Sequence, residues 1–388
     1  MNHLPLPSQE ALAHQQKLLR FLVQIIAKKG PLSFAEFMAS ALYAPGLGYY
    51  SAGAQKFGES GDFVTAPEIS ALFSNCLARQ CAQILATLSK QAVILELGAG
   101  SGKMAAALLT TLKNLNQLPA QYFILEVSAD LKQRQQQYLK QHCQDYFKNI
   151  VWLDKLPEQA VEGIILGNEV LDAMPVELFQ IGENGELLQA YVNYENEQWQ
   201  CTFSTDVKEK VKDAILALQT QLGYQFAPKY TSEINVELAP WVSALSNILS
   251  KGVMLFIDYG FPNHEYYHPS RHMGTLMCHY RHHAHPDPLR YIGLQDITAH
   301  VDFSALAKAA MSAQCDVLGY TTQAAFLLSN NILENHSLDA QEQLKISQQI
   351  QKLTAPHEMG ELFKVMALGK NYDEPLQGFS LRDYKHRL

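Results

Sequence analysis

One short stretch restricts the fold of this 388-residue chain more than any other. It is AVILEL (92–97), followed at once by Gly98-Ala99-Gly100-Ser101-Gly102 and then by MAAALLTTLKNL (104–115). A brief, nearly all-apolar run predicts a strand buried on both faces, the habit of parallel sheets. Glycines after it let the backbone turn tightly and approach a ligand closely. The apolar periodicity beyond predicts a helix, whose first turn offers N–H donors and a positive dipole end.

The same texture recurs. YFILEV (122–127), NIVWL (149–153), GIILGN (163–168) and GVMLFIDYG (252–260) read as further buried strands. SADLKQRQQQYLKQHC (128–143) reads as a helix started by Ser128. Strands alternating with helices predict a doubly wound, mostly parallel sheet. CDVLGYTT (315–322) and LFKVMALG (362–369) supply the sixth and seventh strands.

Other stretches break the alternation. Residues 8–29 predict an amphipathic helix with Ser8 as N-cap and Leu12, Leu19, Leu22 and Ile26 on one face. Residues 43–67 form a Gly-, Pro- and aromatic-rich structured loop, and 67–88 predict one helix. VELFQIG, ELLQAYVNY and QWQCTFS predict antiparallel strands with a hairpin turn at Asn184-Gly185. Two helices are expected after them, over 206–222 and around 233–250. The organisation expected is an N-terminal helical and loop extension (1–90), the first part of the sheet domain (91–175), an α+β insertion (176–250), and the rest of the core (251–388) with a loop over 261–302.

Bulk properties exclude several classes. A net charge of −8 argues against a nucleic-acid partner, which needs basic surface against phosphate. The six cysteines contain no CxxC pair, so they read as reduced thiols of a cytoplasmic protein. No stretch reaches the ~20 apolar residues of a membrane span, and the first residues lack the pattern of a signal peptide. Eight of the fourteen histidines lie between His264 and His300, most densely in HYRHHAH (279–285). They predict a polar substrate groove or plain surface, and no metal.

The glycine turn admits three readings. A P-loop requires GxxxxGK[ST], which fails because Leu97 stands at the first glycine and Met104 follows Lys103. A dinucleotide fingerprint, GxGxxG, fails at Lys103. An acidic residue followed by GxGxG, here Glu96 to Gly102, fits without adjustment and resembles class I S-adenosylmethionine methyltransferases. Glu126 ends the second strand, where a carboxylate can accept both hydroxyls of a ribose. After the fourth strand, Asn168, Glu169 and Asp172 set two carboxylates and an amide close together. That suits polar recognition of a nitrogen substrate, and equally an N-cap for a following helix.

Longer stretches carry a more specific resemblance. They are GPLSFAEFMASALYAPGLGYY (30–50), FGESGDFVTAPEIS (57–70), ILELGAGSGKMA (94–105), ILGNEVLDAMPV (165–176), FIDYG (256–260), GTLMCHYRHHAHPDPL (274–289), DITAHVDFSALA (296–307) and MGELFKVM (359–366). Together they resemble the MidA-type methyltransferases, a family that includes a mitochondrial complex I assembly arginine methyltransferase. The resemblance implies a Rossmann-like class I α/β core with a seven-stranded sheet. It implies S-adenosyl-L-methionine held by Glu96, Gly98, Ala99, Gly100, Gly102, Glu126, Val127 and Asn168. Gly61, Asp62, Phe63, Thr65 and Pro67 would cap it. Asn168, Glu169 and Asp172 are the candidates on the acceptor side. Tyr49, Tyr50 and Phe63 suit either an adenine face or the core. The family usually has glycine where this chain has Asn331, and asparagine tolerates the same left-handed backbone. The expected activity is N-methylation of a protein arginine, on a respiratory-complex subunit or another cytosolic protein. The alternatives are a small-molecule or other side-chain methyltransferase, and an assembly chaperone that binds the cofactor without turnover.

Overall fold

The computed structural model describes residues 4–52, 65–334 and 339–388. The chain forms two compact units. One contains Val64–Leu171, Ala239–Gly260 and Phe303–Leu388; the other contains Met1–Phe63, Asp172–Leu238 and Phe261–Asp302.

The first unit is built on seven strands: β1 (Val93–Leu97), β2 (Tyr122–Leu125), β3 (Ile150–Leu153), β4 (Val161–Asn168), β5 (Leu249–Phe261), β6 (Asp316–Thr322) and β7 (Phe363–Lys370). Their order in the sheet is β6-β7-β5-β4-β1-β2-β3. β3, β2, β1, β4 and β5 run parallel, and β7 lies antiparallel between β5 and β6. The apolar runs foretold this: all five residues of β1 are buried, as are Ile164, Leu166, Val253 and Leu255. Each fully buried aliphatic side chain contributes roughly 1.5–3 kcal/mol. Helices Lys103–Asn114 and Ala71–Ala86 add Leu108, Leu112, Phe73 and Leu77 to the same core.

Two expectations here need correction. The single helix expected over 67–88 is two, Ala66–Ile69 and Ala71–Ala86. Ser70 between them is extended, with φ −161°, and its hydroxyl caps the second by accepting from Leu72 N. The polar helix Ala340–Thr354, whose one fully buried residue is Leu353, was not anticipated. Asn331 adopts φ 61°, as its tolerance of that region led one to expect.

In the second unit, helix Gln9–Lys29 starts at Ser8, whose hydroxyl accepts from Ala11 N, and it buries Leu18 and Leu22. The hairpin strands Glu177–Ile181, Leu187–Glu195 and Gln198–Ser204 form as expected. An unforeseen strand, Thr231–Ile234, pairs with the first of them. The helix expected around 233–250 is therefore confined to Leu238–Asn247. Part of the histidine-rich stretch forms a small sheet from Met277–Tyr280, His283–His285 and Asp296–Thr298. Tyr49 is buried in this unit's core, and Tyr50 donates to Asp296 at 3.0 Å. The core half of their two readings therefore has the structural support.

Candidate active site

Strand register brings the candidate residues of the first unit to one edge of the sheet. Leu125, Leu97, Gly167 and Phe256 lie abreast on β2, β1, β4 and β5. The next residues of β2, β1 and β4, Glu126, Gly98 and Asn168, therefore lie at the same end of the sheet, Asn168 abreast of Ile257 on β5. The chain turns outward in opposite directions after β1 and β4, so this is the topological switch point, where open α/β sheets hold ligands.

Gly98, Gly100 and Gly102 have φ of 64°, 54° and 82°, a region costly for other residues. A Cβ at Gly98 would come 3.3 Å from Val170 Cγ1, so the turns after β1 and β4 are in contact there. Gly102 begins helix Lys103–Asn114 without a side-chain cap. Glu68, from the short helix Ala66–Ile69, accepts from Ser101 Oγ and from Lys103 Nζ. This tie fastens the Thr65–Pro67 segment to the glycine turn, and sequence reading gave Glu68 no such partner. Gly61, Asp62 and Phe63 lie outside the described residues.

Glu96 is buried, and its Oε2 accepts from Tyr122 Oη at 2.7 Å. Its Oε1 has no hydrogen-bond partner among the described residues. Burial, with the Glu126 charge adding to it, pushes the Glu96 carboxyl up to about 7; the Tyr122 hydrogen bond opposes the rise. Glu126 accepts from Ser128 N at 2.9 Å and from Gln135 Nε2 at 2.9 Å. Gln135 also donates to Gly100 O at 3.0 Å and accepts from Trp152 Nε1. It therefore locks the glycine turn to the Glu126 carboxylate, a role no sequence signal revealed among the glutamines around it. Val127 is 69% exposed, an apolar side chain left in solvent next to that carboxylate. Ala99 is buried within the turn.

After β4 the backbone is strained. Glu169 takes φ 53°, left-handed for a residue with a Cβ. Its N–H donates to Ile257 O at 2.9 Å, and its Oε1 accepts from Asn168 Nδ2 at 3.1 Å. Asp258, fully buried, accepts from Leu171 N and Tyr259 N, each at 2.9 Å. This carboxylate pins the turn that carries Glu169, and sequence reading assigned it nothing. Asp172 falls in the other unit, where its carbonyl accepts from Ala299 N at 2.9 Å. The N-cap reading of this cluster fails, because the next element is the strand Glu177–Ile181 and not a helix. Among the described residues no group of three or more His, Cys, Asp or Glu is arranged to hold a metal ion.

A family of S-adenosyl-L-methionine-dependent methyltransferases matches residues 76–321, more than half of the chain. The chain belongs to that family. A crystal structure from Burkholderia thailandensis, bound to S-adenosyl-homocysteine, is 42% identical, with all of both chains covered and a TM-score of 0.93. The mitochondrial protein arginine methyltransferase NDUFAF7 of Danio rerio is 28% identical over 91% of this chain and 87% of its own. Its Homo sapiens counterpart is 26% identical over 90% and 83%. This MidA-type methyltransferase is an enzyme with S-adenosyl-L-methionine as its cofactor, on a Rossmann-like class I core. No helix among the described residues is long and apolar enough to cross a membrane.

Proposed function

We propose that this methyltransferase transfers a methyl group from S-adenosyl-L-methionine to a guanidinium nitrogen of an arginine in a protein. The observation that carries the reading is Glu169, a carboxylate held in a left-handed turn at the switch point by the Asp258 clamp beneath it. The names of the NDUFAF7 relatives support arginine as the acceptor. A guanidinium keeps its charge up to a pKa above ~12 and presents donors in a planar fork. A carboxylate meets that fork with two parallel hydrogen bonds. Glu169 is the group proposed to orient the acceptor, with Asn168 and Asp172 beside it in sequence.

The residues around the glycine turn fit the cofactor. Glu96 Oε1 is a buried acceptor without a partner among the described residues, suited to the ammonium of an amino acid. Glu126, with Val127 beyond it, suits a ribose and the face of a base. Gly98, Ala99, Gly100 and Gly102 leave room for close backbone approach, and Gly61, Asp62, Phe63, Thr65 and Pro67 would cover it. When bound, the cofactor supplies an electrophilic methyl on a sulfonium. The acceptor nitrogen bonds to that carbon as the carbon–sulfur bond breaks, and the nitrogen then gives up a proton. Six free cysteines fit a reducing compartment, and the cytoplasm is the compartment proposed, although the named relatives are mitochondrial.

Transfer of a tritiated methyl to proteins of a cell lysate, followed by mass spectrometry, tests this. Label on arginine is expected, and label on another residue type or on a small molecule only would sink it. Glu169→Gln keeps the shape and removes the charge. It should leave cofactor affinity near wild type while turnover falls at least tenfold, the equivalent of ~1.4 kcal/mol. Normal turnover in that variant would remove Glu169 from the acceptor side.

A further inference from the structure

Within the second unit, the short helix Asn263–Tyr266 and the turn after it border a cavity of about 350 Å³ lined by Glu265, His268, Ser270 and Arg271. It lies in the histidine-rich stretch, and the methyl-transfer reading gives it no task. The side chains there are already oriented. The Arg271 guanidinium lies over the Phe261 ring, 4.4 Å from its centroid. Its Nε donates to Glu265 O at 3.3 Å. One face and one edge are thereby fixed, while the two terminal amino groups have no hydrogen-bond partner among the described residues.

His268 is fixed in a complementary way. Ser270 N donates to its Nδ1 at 3.2 Å, and Ser270 Oγ lies 2.7 Å from the same nitrogen. A ring nitrogen that accepts from a backbone N–H carries no proton, so in the neutral ring the proton resides on Nε2. The uncommitted nitrogen of His268 is thus a donor. Glu265 supplies the one carboxylate of the lining, with its Oε1 3.8 Å from His264 Nε2.

We propose that this cavity is an oxyanion site that takes a carboxylate or phosphate group. A guanidinium held by face and edge offers its remaining N–H groups as a planar pair, which matches two oxygens of one acceptor. His268 Nε2–H adds a third donor. A neutral amide or hydroxyl ligand would use fewer of these donors and none of the charge. A cation would meet Arg271. Glu265 opposes the anion, so the site binds weakly and reversibly, in keeping with docking of a charged group on a larger molecule or with sampling of free phosphate.

The test is a titration of the whole ¹⁵N-labelled protein with sodium phosphate and, separately, sodium acetate, with sodium chloride holding the ionic strength constant. The amide signals of Ser270 and Arg271 should shift and saturate with at least one of the two anions. Saturation by acetate alone points to a carboxylate-bearing ligand, and by phosphate alone to a phosphate-bearing one. Arg271→Met should weaken binding at least tenfold, with Arg271→Lys intermediate because it keeps the charge and loses the fork. Glu265→Gln should tighten binding several-fold by removing the opposing charge. Signals elsewhere in the spectrum report whether each variant is folded. Shifts that stay linear with both anions overturn the proposal. So does wild-type affinity in folded Arg271→Met, or weaker binding in Glu265→Gln.

Discussion

A carboxyl group inside a sheet ties the stability of this protein to pH. Glu96 titrates near 7, against an ordinary 4.5, chiefly because burial disfavours its charged form. The folded chain therefore holds that proton more tightly than the unfolded chain does. The proton-linked stability is present in full below about 4.5 and is lost as pH rises through 7. A shift of this size corresponds to a loss on the order of 2–4 kcal/mol in the cofactor-free protein. Urea unfolding at pH 5 and pH 8 should show that loss in the wild type, and Glu96→Gln should remove most of it. An unchanged pH dependence in the variant would assign the effect elsewhere. The positions of Glu96, Glu126 and the three glycines were legible in sequence because each lies in or just after a recognisable strand. Gln135 was not, since nothing in KQRQQQ separates the buried glutamine from its exposed neighbours. Asp258 did leave a signal, a lone carboxylate within the apolar run GVMLFIDYG.

The turn after β4 shows how one element holds another in an unfavourable conformation. Asp258 satisfies two N–H groups, the buried one of Leu171 and the part-buried one of Tyr259. Asp258→Ala leaves both without this acceptor, at a cost of about 1–3 kcal/mol for each buried group. The expected result is a stable but weaker fold, turnover down at least tenfold, and affinity for S-adenosyl-homocysteine within a few-fold of wild type. Asp258→Asn retains one carbonyl acceptor and should fall between. If cofactor affinity drops as far as turnover, the clamp serves the whole sheet edge and not the Glu169 turn in particular. Elements misjudged from sequence share a cause. Strand Thr231–Ile234 buries Ser232 and Glu233, so hydropathy argued against it. Glu233 is tolerated there because Thr275 N and Leu276 N each donate to it at 2.8 Å and Tyr266 Oη donates at 3.2 Å. The helix break at Ser70 was hidden because a serine cap needs no departure from the helical apolar pattern.

At the scale of the molecule, the chain passes between the two units five times, once between residues 52 and 65 and then at 171/172, 238/239, 260/261 and 302/303. Hydropathy along the sequence locates strands and helices; it does not say which separated stretches return to one core. A bound ligand stabilises the fold it binds, by ~2.7 kcal/mol at a hundred times its Kd. S-adenosyl-homocysteine at that excess should raise the calorimetric transition of the wild type by a few degrees and leave Gly100→Val unmoved. A shift of equal size in that variant would mean that the glycine turn is not where the ligand sits. The place of β7 between β5 and β6 has a consequence for synthesis. When residue 322 has been made, six of the seven strands exist, yet β5 lacks its long antiparallel partner, and β6 its neighbour, until residues 363–370 follow. At 5–20 residues per second that wait is about 2–10 s. Through it a nascent chain presents an open strand edge, the structure most prone to join another copy. Chains halted before residue 363 should therefore be recovered in aggregates or bound to chaperones, however stable the finished protein is.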